Sequence, residues 1–144
     1  LDDALGSDAM LMGRRTYEWF AGRWPSRTGA LADRLNGLPK FVVSSTMRDP
    51  AWNNTTVLGG DLLAEVADLK RRIDRDILVT ASARVVRTLF EHDLVDELRL
   101  KVFPLVLGAG DRLFGETRDA KRMRLIDTRT VDGDTAYLIY HRKD

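Results

Sequence analysis

Three short apolar runs, Ala9–Met12, Phe41–Val43 and Ile77–Val79, each give way at the C-terminal end to a small or hydroxylated turn. The first turn, Gly13-Arg14-Arg15-Thr16, and the third, Thr80-Ala81-Ser82-Ala83, pass straight into helical patterns. A strand that returns through a helix reaches its next neighbour in parallel, because a parallel pair needs a crossover connection. The chain is therefore read as α/β.

Spacing and breaks place the remaining elements. The helix that starts at Arg14 runs through Phe20 and stops before Trp24-Pro25, since the residue before a proline is pushed out of the α conformation. A short helix is expected over Thr28–Leu35, closed by Gly37-Leu38-Pro39. Asp61 is placed to cap a helix whose Leu62, Val66, Leu69 and Ile73 form one stripe, with Lys70, Arg71 and Arg72 turned outward. Val85, Val86, Leu89 and Phe90 make a further helical face, and Thr55–Leu58 a weaker strand. Leu98–Phe103 alternates with Arg99 and Lys101 on one side, until Pro104 interrupts it. Met123–Val131 and Thr135–His141 flank Asp132-Gly133-Asp134, a hairpin signal. The expected sheet is mostly parallel, with antiparallel strands at its C-terminal end.

Composition narrows the function classes. A chain of 144 residues is expected to form one domain. With no cysteine there is no disulfide framework and no thiolate nucleophile, so a reducing compartment, the cytoplasm, is the expected home. The apolar runs fall far short of the ~18 residues of a membrane span. Leu1-Asp2-Asp3-Ala4 is neither basic nor apolar like a signal peptide. Lys+Arg number 23 against 22 Asp+Glu and form no one-sign stripe, so nucleic acid is not an expected partner. His92 and His141 are the only imidazoles and have no third ligand pattern, so no metal is expected. Trp19, beside Phe20, reads as a core aromatic, while Trp24 reads as either a pocket wall or a packed residue.

In α/β sheets ligands bind outside the carboxyl ends of the strands, where turns and helix N-termini present free amides. Gly13-Arg14-Arg15-Thr16 adds two guanidinium groups and a hydroxyl, which suit phosphate. Ser44-Ser45-Thr46, with Arg48 behind it, offers hydroxyls and a cation, and Thr80-Ala81-Ser82-Ala83 offers amides. Each alone is equally served by an ordinary polar turn or a capped helix. Together they occur in order after three strands.

At this point a resemblance becomes specific. Gly13-Arg14-Arg15-Thr16-Tyr17-Glu18 resembles the Gly-Arg-x-Thr-aromatic-Glu segment of the dihydrofolate reductase superfamily, and Lys40–Ser45 is similar to that superfamily's second nucleotide-binding strand end. Leu94–Leu100, Phe103–Gly110 and Arg112-Leu113-Phe114 resemble the branch containing the reductase domain of bifunctional riboflavin-biosynthesis enzymes and stand-alone bacterial homologues. The resemblance implies a three-layer α/β/α fold with a mostly parallel mixed sheet and an antiparallel C-terminal hairpin. It further implies NADPH-dependent hydride transfer to a small pyrimidine- or pterin-like substrate by a homodimer, with the Leu98–Leu107 segment and the terminal hairpin as its interface.

By the same resemblance, Gly13, Arg14, Arg15 and Thr16 would hold cofactor phosphates, including the 2′-phosphate. Ser44, Ser45 and Thr46, with Arg48, would flank the adenosine. Ala81, Ser82 and Ala83 would lie under the pyrophosphate beside Arg84, and Gly108–Gly110 would either border the substrate or simply turn the chain. Superfamily members commonly carry glycine at the third turn, where this chain has Ala81, Ser82 and Ala83. They also begin with a central strand and an active-site turn that Asp2, Asp3 and Asp8 do not match, so the chain is expected to lack that strand, and no residue is assigned a catalytic role. A second class of function fits the same residues: a non-catalytic nucleotide-binding or structural homodimer that keeps the fold.

Overall fold

The computed structural model describes residues 2–143, which form two compact units, the first running to Val86 and the second beginning at Arg87. In the first unit a short 3-10 turn, Asp2–Gly6, precedes β1 (Ala9–Gly13), α1 (Arg14–Ala21), α2 (Ala30–Gly37), β2 (Lys40–Val43), β3 (Thr55–Leu58), α3 (Leu62–Arg72) and β4 (Ile77–Val79). Helix α4 (Ala83–Glu91) carries the division between the units. The second unit continues with β5 (Glu97–Val102), β6 (Met123–Val131) and β7 (Thr135–Arg142).

The four strands of the first unit pair in parallel in the order β3-β2-β1-β4. From β1 the chain steps to β2 and then β3 on one side, then crosses back over β2 and β1 to reach β4. Because parallel crossovers are right-handed, the reversal puts α1 and α2 on one face and α3 on the other. Packing agrees: Met10 and Met12, on one side of β1, join a buried cluster with Tyr17 and Phe20 of α1, Ala32 and Leu35 of α2, and Trp52. Leu11 points the opposite way by strand alternation and is also buried, as are Val66 and Leu69 of α3. A strand covered on both faces is apolar throughout, which is why Ala9–Met12 reads as an unbroken run.

Local signals account for the helix ends. The Asp61 carboxylate accepts from the Leu63 and Ala64 amides at 2.9 and 3.2 Å and so caps α3. On α1 the spacing of Tyr17 and Phe20 fixes the buried side, and Trp19 falls outside it. Trp19 is half exposed, with the Arg23 guanidinium 4.2 Å from its ring centroid, so the expected core role belongs to Phe20 alone. Trp24 is buried and stacks on Phe20 at 6.3 Å between centroids; it is a packed residue and not a pocket wall.

Lys40 is fully buried at the start of β2, and its ammonium donates to the carbonyls of Leu35 (2.8 Å), Asn36 (3.1 Å) and Leu38 (2.7 Å). It thereby closes the C-terminal end of α2, whose last carbonyls have no partner within the helix. Burial lowers its pKa to about 8.

In the second unit the strands form a separate antiparallel sheet, β5-β7-β6, so the single mixed sheet expected from the sequence resolves into a parallel and an antiparallel one. The three antiparallel strands satisfy one another: β7 takes β6 through the hairpin and β5 along its other edge. Asp132 and Gly133 both have positive φ, as the Asp-Gly signal requires. Ile126 is extra in the β6–β7 register, between Leu125 and Asp127. β5 stops at Val102 and does not run on to Leu107; Leu105, Val106 and Leu107 lie exposed outside any strand. Gly108 and Gly110 have positive φ, the requirement of a turn. His92 lies just past the end of α4, its amide bonded to the Thr88 carbonyl.

Candidate cofactor site

Strands β1 and β4 are neighbours, yet the helices that follow them leave on opposite faces. α1 packs with Met10 and Met12, whereas a Cβ on Gly13, on the Leu11 side, would lie 3.6 Å from Val85 of α4. The region beyond the carboxyl ends of β1 and β4 is thus a switch point of the sheet, where such folds bind ligands.

Two helix N-termini open into it. Gly13 is the N-cap of α1, with φ −77° and ψ 163°, and it has no side chain with which to cap the helix. The Ser82 carbonyl accepts from the Val86 amide at 3.0 Å and so starts α4. The first-turn amides of both helices have no acceptor within their own helix, and both dipoles place positive charge here. The turns are tied together: the Ser82 hydroxyl accepts from the Gly13 amide at 3.0 Å and lies 3.1 Å from Thr16 Oγ1.

The third turn adopts the backbone expected of glycine without containing one. Ala81 and Ser82 have φ of 50° and 55°. Gly13, in contrast, has an ordinary φ that any residue adopts, so the glycine-demanding conformations lie at the third turn and not at the first. Where left-handed Ser82 meets the first helical residue, Ala83, successive backbone residues change hand, the arrangement that turns consecutive amides to one side in an anion-binding nest.

Of the residues expected to bind a cofactor, Gly13, Thr16 and Ser82 are drawn together by hydrogen bonds. Arg14, Arg15 and Arg84 are exposed at the two helix starts, Arg14 in a loose 3.7 Å pair with Glu18. Ala81 and Ala83 are exposed. Ser44–Thr46 stands one strand away, beyond the end of β2, where Gly13 registers with Val43. The Ser44 hydroxyl accepts from the Thr46 and Met47 amides at 3.3 and 3.1 Å, so it shapes its own turn and leaves Ser45 and Thr46 exposed. Asp8, by contrast, sits at the opposite end of β1, where it pairs with Arg34. No sequence signal announced that Ser82 would bond Gly13, because the contact joins residues 69 apart.

A parallel sheet with two helix N-termini at its switch point, accompanied by an antiparallel hairpin sheet, defines a protein of the dihydrofolate reductase-like fold. The chain belongs to the RibD C-terminal domain family, whose pattern matches residues 2–137. It is 27% identical over 139 residues to the uncharacterized protein YyaP of Bacillus subtilis, covering 93% of this chain and 73% of that one. The solved structure of a putative riboflavin biosynthesis protein from Shewanella sp. PV-4 superposes with a TM-score of 0.81 at 24% identity, covering 100% of this chain and 79% of that one. Dihydrofolate reductase from Enterococcus faecalis, solved with NADP(H) and RAB-propyl, matches with a TM-score of 0.63 at 16% identity, covering 94% of this chain and 74% of that one. The family is of oxidoreductase type. Among the described residues no helix is long and apolar enough to cross a membrane.

Proposed function

We propose that this protein is an NADPH-dependent reductase of a small heterocycle, pyrimidine- or pterin-like, that works in the cytoplasm as a homodimer. Membership of the RibD C-terminal domain family supports the reaction class, and one observation supports the cofactor: the two helix N-termini that converge on Ser82 beside a left-handed Ala81-Ser82 turn. The donor set suits a dinucleotide. Thr16 and the first-turn amides of α1 and α4 would hold the pyrophosphate, since oriented amides and helix dipoles favour an anion at no reorganisation cost. Arg14 and Arg15 would take the 2′-phosphate, for which a planar fork of donors is well matched. Ser45 and Thr46 would border the adenosine on the far side of β1.

When bound, NADPH supplies the hydride. The protein's part would be to hold the reacting faces together and to exclude water, and positioning of that kind accounts for much of the rate in such reactions. The exposed apolar run Val102–Leu107 supports a second copy as its cover. A second reading, a nucleotide-binding or structural homodimer without turnover, is favoured by the methyl groups of Ala81 and Ala83 where close phosphate approach prefers glycine.

Titration of the protein with NADPH, followed by nicotinamide fluorescence, tests the cofactor. Binding below millimolar concentration is expected, and its absence would sink the reading. Oxidation of NADPH in the presence of amino-uracil or pterin compounds then separates the reductase from the non-catalytic alternative.

A further inference from the structure

Ser82 stands where two helices begin, yet its side chain serves only one of them. An N-cap serine ordinarily turns its hydroxyl onto the second or third amide of its own helix. Here the left-handed backbone at φ 55° sends Oγ across to the β1–α1 turn. There it meets the Gly13 amide at 3.0 Å, Thr16 Oγ1 at 3.1 Å and the Thr80 carbonyl at 3.1 Å.

Counting protons restricts what this group can do. The Gly13 amide can only donate, so Ser82 Oγ must accept there, and the Thr80 carbonyl can only accept. Ser82 has one proton, and it goes either to Thr80 or to Thr16. If it goes to Thr80, the Thr16 hydroxyl can return its own proton to Ser82, and both are used within the protein. If it goes to Thr16, Thr16 has an acceptor role filled and its own proton is left to point away from Ser82. Only the second arrangement offers a hydroxyl donor to an anion.

We infer that Ser82 is a positioning residue that acts through Thr16: an anion at the start of α1 selects the relay Gly13 N–H to Ser82 O–H to Thr16 O–H to phosphate oxygen. All three donors then point one way, so each polarises the next and the last is the strongest. The inference rests on the proposed cofactor reading and deepens it. It assigns to Ser82 a role in pyrophosphate affinity that needs no contact between Ser82 and the ligand.

The test is a double-mutant cycle on the full chain with Ser82→Gly, Thr16→Val and both together. Inorganic pyrophosphate is titrated by calorimetry and NADPH by fluorescence. Glycine keeps the left-handed backbone, so Ser82→Gly removes the hydroxyl without forcing the turn, and circular dichroism with the thermal midpoint verifies that each variant is folded. Ser82→Gly and Thr16→Val are each expected to weaken both ligands about tenfold, the order of a hydrogen bond to a charged group. In the Thr16→Val background, Ser82→Gly is expected to add less than about twofold.

Equal losses in both backgrounds would mean that Ser82 merely braces the turn, and unchanged affinity in Ser82→Gly would also overturn the relay. If the unmodified protein binds pyrophosphate but not NADPH, and the cycle is non-additive, the relay stands while the dinucleotide reading falls. If it binds neither at millimolar concentration, both fall.

Discussion

The Lys40 ammonium lies 4.5 Å from the centroid of the Trp52 ring while it closes the C-terminal end of α2. A charge in that position is desolvated, which depresses its pKa to about 8 from 10.5. Three carbonyl acceptors and the ring face offset the cost. Lys40→Met keeps the length of the side chain but orphans the carbonyls, so a stability loss of about 2–3 kcal/mol is expected by urea denaturation.

The same lysine predicts a pH dependence. Its folded pKa lies below its unfolded one, so between about pH 8 and 10.5 the unfolded chain binds more protons than the folded chain. The contribution of this group to stability therefore rises with pH across that window and is flat below it. The difference in unfolding free energy between the protein and Lys40→Met should widen from pH 8 to 10; a difference that narrows would contradict the burial of a charged amine.

Ala81 holds φ at 50°, a conformation that costs a residue with a Cβ about 1 kcal/mol. Ala81→Gly removes that strain but gives the unfolded chain more freedom, and a net gain of about 0.5 kcal/mol is expected. NADPH should bind more tightly to this variant, since the methyl group no longer limits phosphate approach. Weaker binding would place the cofactor elsewhere.

Arg14 and Arg15 are exposed at the start of α1. Replacing both by alanine should weaken NADPH about 10- to 100-fold, as expected for charge-assisted hydrogen bonds, and NADH by less than about threefold. Equal losses for the two cofactors would remove the 2′-phosphate role. The effect should shrink with added salt, because both side chains are open to solvent.

Leu105, Val106 and Leu107 are 68%, 95% and 77% exposed, an apolar run that a single copy leaves in water. Val106→Asp is expected to shift a concentration-dependent dimer to monomer in sedimentation velocity, without change in the far-ultraviolet spectrum. A protein that is monomeric before the substitution would refute the homodimer.

Much of the architecture was legible because short-range chemistry writes it into the chain. Asp61 before an apolar stripe, Pro25 after α1, and Asp132-Gly133 between alternating runs each act within a few residues, and each element formed where that chemistry placed it. The three turns at the strand ends were legible for the same reason. Trp19 was misplaced because adjacency to Phe20 suggested a shared environment, whereas a helix rotates neighbouring residues onto different faces. The division of the strands into two sheets was not readable, since pairing depends on which edges meet and not on the pattern of any one strand.

By itself, then, the sequence determined the order of strands and helices, the caps, and the residue types that wait at the strand ends. Only the tertiary structure decided that Lys40 would be buried, that Ala81 and Ser82 would take the left-handed backbone, and that the Ser82 hydroxyl would bond the Gly13 amide. Local propensity acts over a few residues along the chain. The relation between Gly13 and Ser82 exists because the parallel pairing of β1 with β4 brings two distant turns together at the carboxyl ends of the strands.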